Sequence, residues 1–327
     1  MRISKSLLIA LSNCNKIYGG EEMLLSICIP TWNRNIDLGR LVYSIVSQMT
    51  EELCEKVELC ISDNFSDVDP LPMIEEIAEI QPMFKIVYNR NTENIEGMPN
   101  MRKVISMAKG EYCWLFGNDD CMYPGAIGEV VTRIEQNPGV DLITATFDSL
   151  NSDTKSVTRI FHTRSRQDEL YKVNNEEEFR RYFIEVAEYV GGNQGLFCFY
   201  SSVIFRKENW DKYYMKECDK KDSFFIQSWI HMSTFREGGS HLAIAKPLLV
   251  RECRDDWERV MNPVLFYSIV THMYELLFGM FDEELAWAIA QSQIPTAEVV
   301  VKNFMDSEIE DEKKEEVLRI LQRVSKR

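Results

Sequence analysis

The chain has 327 residues, 45% hydrophobic and 27% charged, with a formal net charge of −15 and a sequence pI near 4.9. That length buries a sizeable core, as one large domain or a domain with an appendage. The acidic balance argues against a nucleic-acid binder, which needs basic patches to neutralise phosphates, and nine scattered cysteines without a CxxC pair argue for a reducing compartment rather than a disulfide framework.

At the N-terminus, Arg2 and Lys5 precede a short apolar run, Leu7 to Leu11. The run imitates a signal peptide only weakly, since it is short and no small-x-small cleavage site follows. Residues 1–22 are therefore read as an extension ahead of the first domain. No apolar run reaches 18 residues, so no transmembrane helix is expected.

Leu24 to Pro30 is a short apolar run stopped by proline, a buried strand. Asp37 to Gln48 carries helical spacing at Leu38, Leu41, Val42, Ile45 and Val46. A second strand, Val57 to Ser62, ends at Asp63, a helix covers Met73 to Gln81, and a third strand covers Lys85 to Asn89. Pro99 to Lys109 is a helix with proline in its first turn and Gly110 just past its end. Tyr112 to Phe116 is a strand, Gly125 to Asn137 a helix, and Asp141 to Phe147 a strand. Such alternation predicts a doubly wound, mostly parallel, Rossmann-like α/β sheet.

Beyond residue 150 the alternation loosens. Residues 151–166 are polar and read as a loop; Asn175 to Val190 reads as a helix, Ser201 to Arg206 as a strand, and Asp222 to Arg236 as a helix. Leu242 to Arg251 is strand-like but interrupted by Pro247. From Asn262 the chain is helical. Val264 to Phe281 is apolar on nearly all sides, which fits core, a homodimer interface or a peripheral membrane contact.

The strongest functional signal is Gly110 to Asp120, an apolar strand that ends in two adjacent carboxylates. Ligands of open α/β sheets bind outside the carboxyl ends of strands. Paired aspartates there repel unless a cation or solvent relieves them. Mg²⁺ needs only one or two protein carboxylates beside substrate phosphates. The competing reading is an ordinary turn. Two other strand ends are polar as well: Pro30-Thr31-Trp32-Asn33-Arg34 and Ser62-Asp63-Asn64-Phe65-Ser66-Asp67.

Taken together, these strand ends resemble glycosyltransferase family 2 with the GT-A fold. Ile29 to Arg34 is similar to its IPTYNR motif, and Ser62 to Asp67 to its DDGSTD-like segment. Phe116 to Asp120, with Pro124, is similar to its metal motif. Asn94, Gly97, Asn100 and the segment Gly110 to Trp114 resemble the branch of bacterial O-antigen and capsule sugar transferases, abequosyltransferase-like proteins among them.

The resemblance implies a nucleotide-sugar half over 23–150, an acceptor half over 151–255 and a helical C-terminal region over 256–327. It implies inverting transfer from a nucleotide-diphosphate-sugar to a hydroxyl of a glycan or lipid-linked acceptor, in the cytoplasm or at the inner face of the membrane. The implied residues are Asp119 and Asp120 for Mg²⁺ or Mn²⁺, Asp63 for the nucleobase edge, and Pro30, Thr31, Asn33, Arg34, Asn94, Asn100 and Asn118 for the nucleotide. Asp222 is the implied base, with Asp219 competing. Gly117 departs from the family motif, standing where many members have an aspartate. Arg251, Arg254 and Trp257 follow the last strand-like segment. An arginine there suits a diphosphate, or equally pairs with Asp255 and Asp256. Two alternatives stay open: a sugar nucleotidyltransferase, and an inactive glycan-binding or scaffold protein on the same fold.

Overall fold

The computed structural model describes residues 23–189, 197–220, 223–253, 262–294 and 298–325. Its first half runs β1 (Leu25–Thr31), α1 (Asn35–Val46), α2 (Glu51–Lys56), β2 (Val57–Asp63), α3 (Leu71–Ala78), β3 (Lys85–Arg90), α4 (Gly97–Met107), β4 (Tyr112–Leu115), β5 (Cys121–Met122), α5 (Ala126–Gln136) and β6 (Leu142–Asn151). Each expected strand and helix of this half is present, with ends shifted by a few residues. The short α2 adds to them, started by Thr50, whose side chain accepts from the Leu53 N–H at 3.2 Å.

The second half continues with β7 (Val157–Ile160), β8 (Glu169–Val173), α6 (Glu176–Tyr189), β9 (Val203–Arg206), α7 (Lys207–Lys216), α8 (Ile226–Arg236) and β10 (Gly239–Cys253). It ends in α9 (Pro263–Met280), α10 (Glu283–Gln293), α11 (Glu298–Met305) and α12 (Asp311–Ser325). The stretch read as a loop over 151–166 contains β7, a mostly exposed strand whose polar outer face hides its pairing with β6. Helix α7 was not foreseen because only Trp210 and Tyr213 of its ten residues are buried.

The ten-stranded sheet has the order β3-β2-β1-β4-β9-β6-β10-β5, with β7 on β6 and β8 on β10. Strands β3, β2, β1 and β4 are parallel neighbours. Strand β9 lies antiparallel between β4 and β6, which leaves β6, and β10 beside it, pointing the same way as β1. Strands β1, β2, β3, β4, β6 and β10 thus run one way, so the sheet is mostly parallel as alternation predicts; β9 is inserted antiparallel among them, and β5, β7 and β8 pair antiparallel with β10 or β6. Register between β6 and β10 slips on either side of Pro247, because proline lacks the N–H that the ladder needs.

Two cores cover the two faces. Alternation along β1 divides it: Leu25, Ile27 and Ile29 join α1 and α5 on one side, and Cys28 joins α4 on the other. The second core continues through α8 into α9, α10 and α12, so the C-terminal helices share hydrophobic packing with the sheet. Helix α9 buries Phe266, Ile269, Val270, Met273, Leu276, Leu277 and Met280. Its all-round apolar character is thereby taken up inside the chain, apart from exposed Val264 and Leu265. Among the described residues, no helix is long and apolar enough to cross a membrane. Cys28, Cys54, Cys60, Cys113, Cys121 and Cys198 are free thiols.

Candidate active site

The carboxyl ends of β1, β2 and β4 meet at one cavity of about 510 Å³. Pro30, Thr31 and Arg34 line it from the end of β1 and the loop after it, Asn94 from the loop before α4, Asn100 from near the start of α4, and Asn118 from the turn after β4. Six of the sequence-derived residues, Pro30, Thr31, Arg34, Asn94, Asn100 and Asn118, therefore share one cavity, although they span nearly ninety positions. Asn118 Nδ2 donates to Thr31 Oγ1 at 2.8 Å, which ties the β4 end to the β1 end.

The loops are held by side-chain amides. Asn33 N–H donates to Ser66 Oγ at 2.8 Å, and Asn33 Oδ1 accepts from the Asp67 N–H at 2.8 Å. Asn64 Nδ2 donates to Asn94 Oδ1 at 2.7 Å, while Asn64 Oδ1 accepts from the Ile95 N–H at 2.9 Å. Asn100 Nδ2 donates to the Ser62 carbonyl at 2.9 Å, and its Oδ1 accepts from Ser62 Oγ at 2.7 Å. Three residues on these loops, Asn33, Phe65 and Glu96, have positive φ of 52°, 64° and 69°. Such conformations are costly for residues other than glycine and concentrate at functional sites.

Asp63 and Asn33 do not line the cavity. The Asp63 side chain is fully buried, accepting from Arg90 Nη1 at 2.6 Å and from Ser66 Oγ at 2.5 Å. Its carboxylate joins the end of β2 to β3, and Asn33 joins the two loops.

Asp119 and Asp120 are neighbours in sequence but differ in surroundings. The Asp119 side chain is 49% exposed, forms an ion pair with Arg34, and lines a second cleft of about 710 Å³ beside the first. Asp120 is 4% exposed and accepts from Ser201 Oγ at 2.5 Å. Burial pushes its carboxyl up to about 7, and the Asp119 charge adds to this. The Ser201 hydrogen bond and the charges of Arg251 and Arg34 oppose the rise. Ser201 Oγ also accepts from the Gly117 N–H at 2.8 Å. A Cβ on Gly117 would lie 3.1 Å from Asp120 Oδ2, 3.2 Å from Asp119 Oδ1 and 3.2 Å from Ser201 Oγ. The departure from the family motif therefore leaves room for this packing. Among the described residues no group of three or more histidine, cysteine or acidic side chains is arranged to hold a metal. Asp119 is the accessible carboxylate, with Asp120 behind it.

The far wall comes from chain after residue 197 and was not foreseen. Cys198, Tyr200, Phe224 and Gln227 line it, facing Met98 and Met101. Burial raises the Tyr200 phenol, and the charges of Asp120 and Asp119 add to the rise. Gln227 Nε2 donates to the Cys198 carbonyl at 3.4 Å, and its buried Oε1 has no hydrogen-bond partner among the described residues. Local periodicity carries no sign of these residues, since long-range pairing of β9 and packing of α8 bring them in. Asp222, Arg254, Asp255, Asp256 and Trp257 lie outside the described residues. Asp219 is exposed and bonded by Lys220. Arg251 sits 5.5 Å from the Phe147 ring centroid and 5.4 Å from that of Phe199, and donates to Ser149 Oγ at 3.1 Å.

A mostly parallel sheet with a cavity at its strand ends and carboxylates beside it is the build of a GT-A glycosyltransferase. Comparison with known proteins agrees: the model of "Glycosyl transferase family 2" matches residues 26–205, and the chain belongs to that family. It is 32% identical over 240 residues to abequosyltransferase RfbV of Salmonella typhimurium strain LT2, covering 72% of this chain and 67% of that protein. It is 28% identical over 121 residues to an uncharacterized glycosyltransferase of Haemophilus influenzae, covering 37% of each. S. aureus TarS 1-349 in complex with UDP is similar in fold, with TM-score 0.59 and 13% identity over 93% of this chain and 81% of that one. The family is that of sugar transfer rather than nucleotidyl transfer.

Proposed function

We propose that this glycosyltransferase moves a sugar from a nucleotide-diphosphate-sugar to an acceptor hydroxyl, with inversion, in the synthesis of a bacterial surface polysaccharide. The carrying observation is the accessible Asp119 at the end of β4, beside a cavity walled by both halves of the chain. The similarity to an abequosyltransferase supports the polysaccharide context.

In this reading Pro30, Thr31, Asn94, Asn100 and Asn118 receive the nucleotide. Asn33 and Asp63 hold the loops that shape that end. A nucleobase contact from Asp63 would share oxygens already bonded by Ser66 and Arg90. Asp119, with Asp120 behind it, would hold a Mg²⁺ or Mn²⁺ whose remaining ligands are donor phosphates and water. A bound cation would stabilise the negative charge that develops on the leaving diphosphate. The side chains of the chain itself fix the sugar against the Cys198–Gln227 wall and exclude water. Asp222 is the proposed base: it directly precedes Ser223, and Phe224 and Gln227 line the cavity. The acceptor is a glycan or lipid-linked glycan, met in the cytoplasm at the inner membrane face. A peripheral membrane contact or a homodimer through α9 would have exposed Val264 and Leu265 to draw on.

The test is a screen of nucleotide-sugars, with and without Mn²⁺, read by thermal shift and by release of nucleoside diphosphate. A donor that binds only the folded state raises the melting point. Metal-stimulated turnover of one donor is expected. Binding without turnover on any acceptor would mark a chain that kept the fold and lost the activity.

A further inference from the structure

We propose that Arg34 and the divalent cation compete for Asp119, so that the cation binds well only when a donor diphosphate is present to receive Arg34. The inference rests on the sugar-transfer reading and adds to it an order of events within the site.

The geometry is that of a placeholder. The Arg34 guanidinium donates to Asp119 Oδ2, the accessible oxygen set of the pair. Asp120 offers no alternative, because it is buried and bonded by Ser201. A dication at Asp119 would therefore meet a guanidinium already on the same carboxylate. Two cations on one carboxylate repel, so each weakens the binding of the other, and a new anion for Arg34 relieves that penalty.

The new anion has a place to sit. Arg34 lines both the nucleotide cavity and the second cleft, so its side chain stands on the wall between them. Among the described residues, Asp119 is its one ion-pair partner. Both side chains are about half exposed, and an exposed pair of this kind is weak. The backbone beneath it is held. The Arg34 carbonyl accepts from the Leu38 N–H at 2.9 Å at the start of α1, and neighbouring Asn33 is tied to Ser66. The guanidinium can thus swing on a fixed base from carboxylate to diphosphate, whose oxygens suit its planar fork. Binding of cation and donor is then positively coupled, and the coupling is reciprocal.

The experiment measures free Mn²⁺ by electron paramagnetic resonance during titration of the full-length protein. It uses wild type and Arg34→Gln, each alone and with UDP, CDP, GDP or dTDP. The wild type should bind Mn²⁺ weakly alone and more tightly with its matching diphosphate. Arg34→Gln should bind Mn²⁺ alone about two- to fivefold more tightly than wild type, the range an exposed ion pair supports. It should also bind the diphosphate more weakly in the absence of metal and show reduced coupling. Unchanged or weaker Mn²⁺ affinity in Arg34→Gln overturns the proposal. So does Mn²⁺ binding that survives Asp119→Asn in the Arg34→Gln background, because the cation then sits elsewhere. If neither protein binds any of the diphosphates, the sugar-transfer reading fails, while the Mn²⁺-alone arm still decides the competition.

Discussion

Arg90 stands directly opposite Asp63 in the β2–β3 register, and its Nη1 reaches Asp63 Oδ2 at 2.6 Å in a pair whose acidic member is fully buried. The arginine also donates to the Ser66 carbonyl at 2.5 Å and lies 5.3 Å from the Phe65 ring centroid. Asp63 thus holds the strained loop that faces the cavity. Asp63→Ala should weaken nucleotide binding and also destabilise the fold. Removing one partner of a buried pair costs about 3–5 kcal/mol, and the partial exposure of Arg90 lowers the expectation to roughly 2 kcal/mol. Urea unfolding, read beside calorimetric nucleotide affinity, checks both. A variant with wild-type stability would remove the structural role.

Gly117→Ala should impair the site more than the fold. Its Cβ would press on both carboxylates and on Ser201 at 3.1–3.2 Å, so those groups must give by a few tenths of an ångström. Misplacing groups at a reacting centre by about 1 Å costs about a hundredfold. A smaller shift should lower donor turnover by about tenfold with little change in melting temperature. A variant as active as wild type would show that the packing around Ser201 is slack.

Asp222→Asn should leave donor binding intact and slow transfer by about 10²–10⁴, the usual cost of losing a general base. Asp219 is the control. The Lys220 hydrogen bond holds its carboxyl below the usual range, which makes it the poorer base. Near-normal transfer in Asp222→Asn together with collapse in Asp219→Asn would reverse the assignment.

Acid should destabilise the protein through three buried imidazoles. Burial lowers His162 to about 4, His231 to about 3 and His241 to about 3. Their unfolded value lies near 6.5, so below that pH the unfolded chain takes up protons that the native chain does not. Their contribution is present above about pH 6.5 and is lost progressively as pH falls toward 4. Each contributes up to about 1.4 kcal/mol per pH unit in that window. Denaturant midpoints at pH 7 and pH 5 measure the slope. His241→Gln should flatten it, although it also disturbs bonds to Thr144 Oγ1 at 2.7 Å and Tyr182 Oη at 2.6 Å. Equal stability at the two pH values would contradict the account.

Gly279→Ala is a test of the junction between the sheet and the C-terminal helices. A Cβ there would come within 2.3 Å of the Trp229 ring, so α8 and α9 would have to separate. Overpacking of this kind typically costs about 1–3 kcal/mol. Lower stability with donor affinity retained is expected, followed by Trp fluorescence during unfolding.

Most of the sheet was legible because strands ending in Pro30, Asp63 and Asp119 carry short apolar runs with polar stops, and each feeds a helix of regular spacing. The resemblance carried by those strand ends and by the start of α4 marked Thr31, Arg34, Asn94, Asn100 and Asn118 as site residues, and all five line one cavity. What could not be read was environment. Asp119 and Asp120 look alike in a chain of letters, yet one is half exposed and the other buried on Ser201, 81 residues away. Arg90 was invisible for the same reason, since its role depends on the parallel register of β2 with β3. Gln227 and Cys198 meet only after α8 packs beneath a strand inserted from the second half.

That inserted strand bears on how the enzyme can be dissected. The β9 residues Ile204 to Arg206 pair with Tyr112 to Trp114, and the family-matched stretch, 26–205, ends within β9. A fragment that stopped near residue 150 would keep the polar ends of β1, β2 and β4, yet it would expose the β4 edge and lack the Ser201 hydroxyl on which Asp120 rests. An open edge of that kind invites aggregation. For anyone exchanging segments between relatives, the natural crossover therefore lies after Arg206, with β9 travelling with the N-terminal half of the sheet.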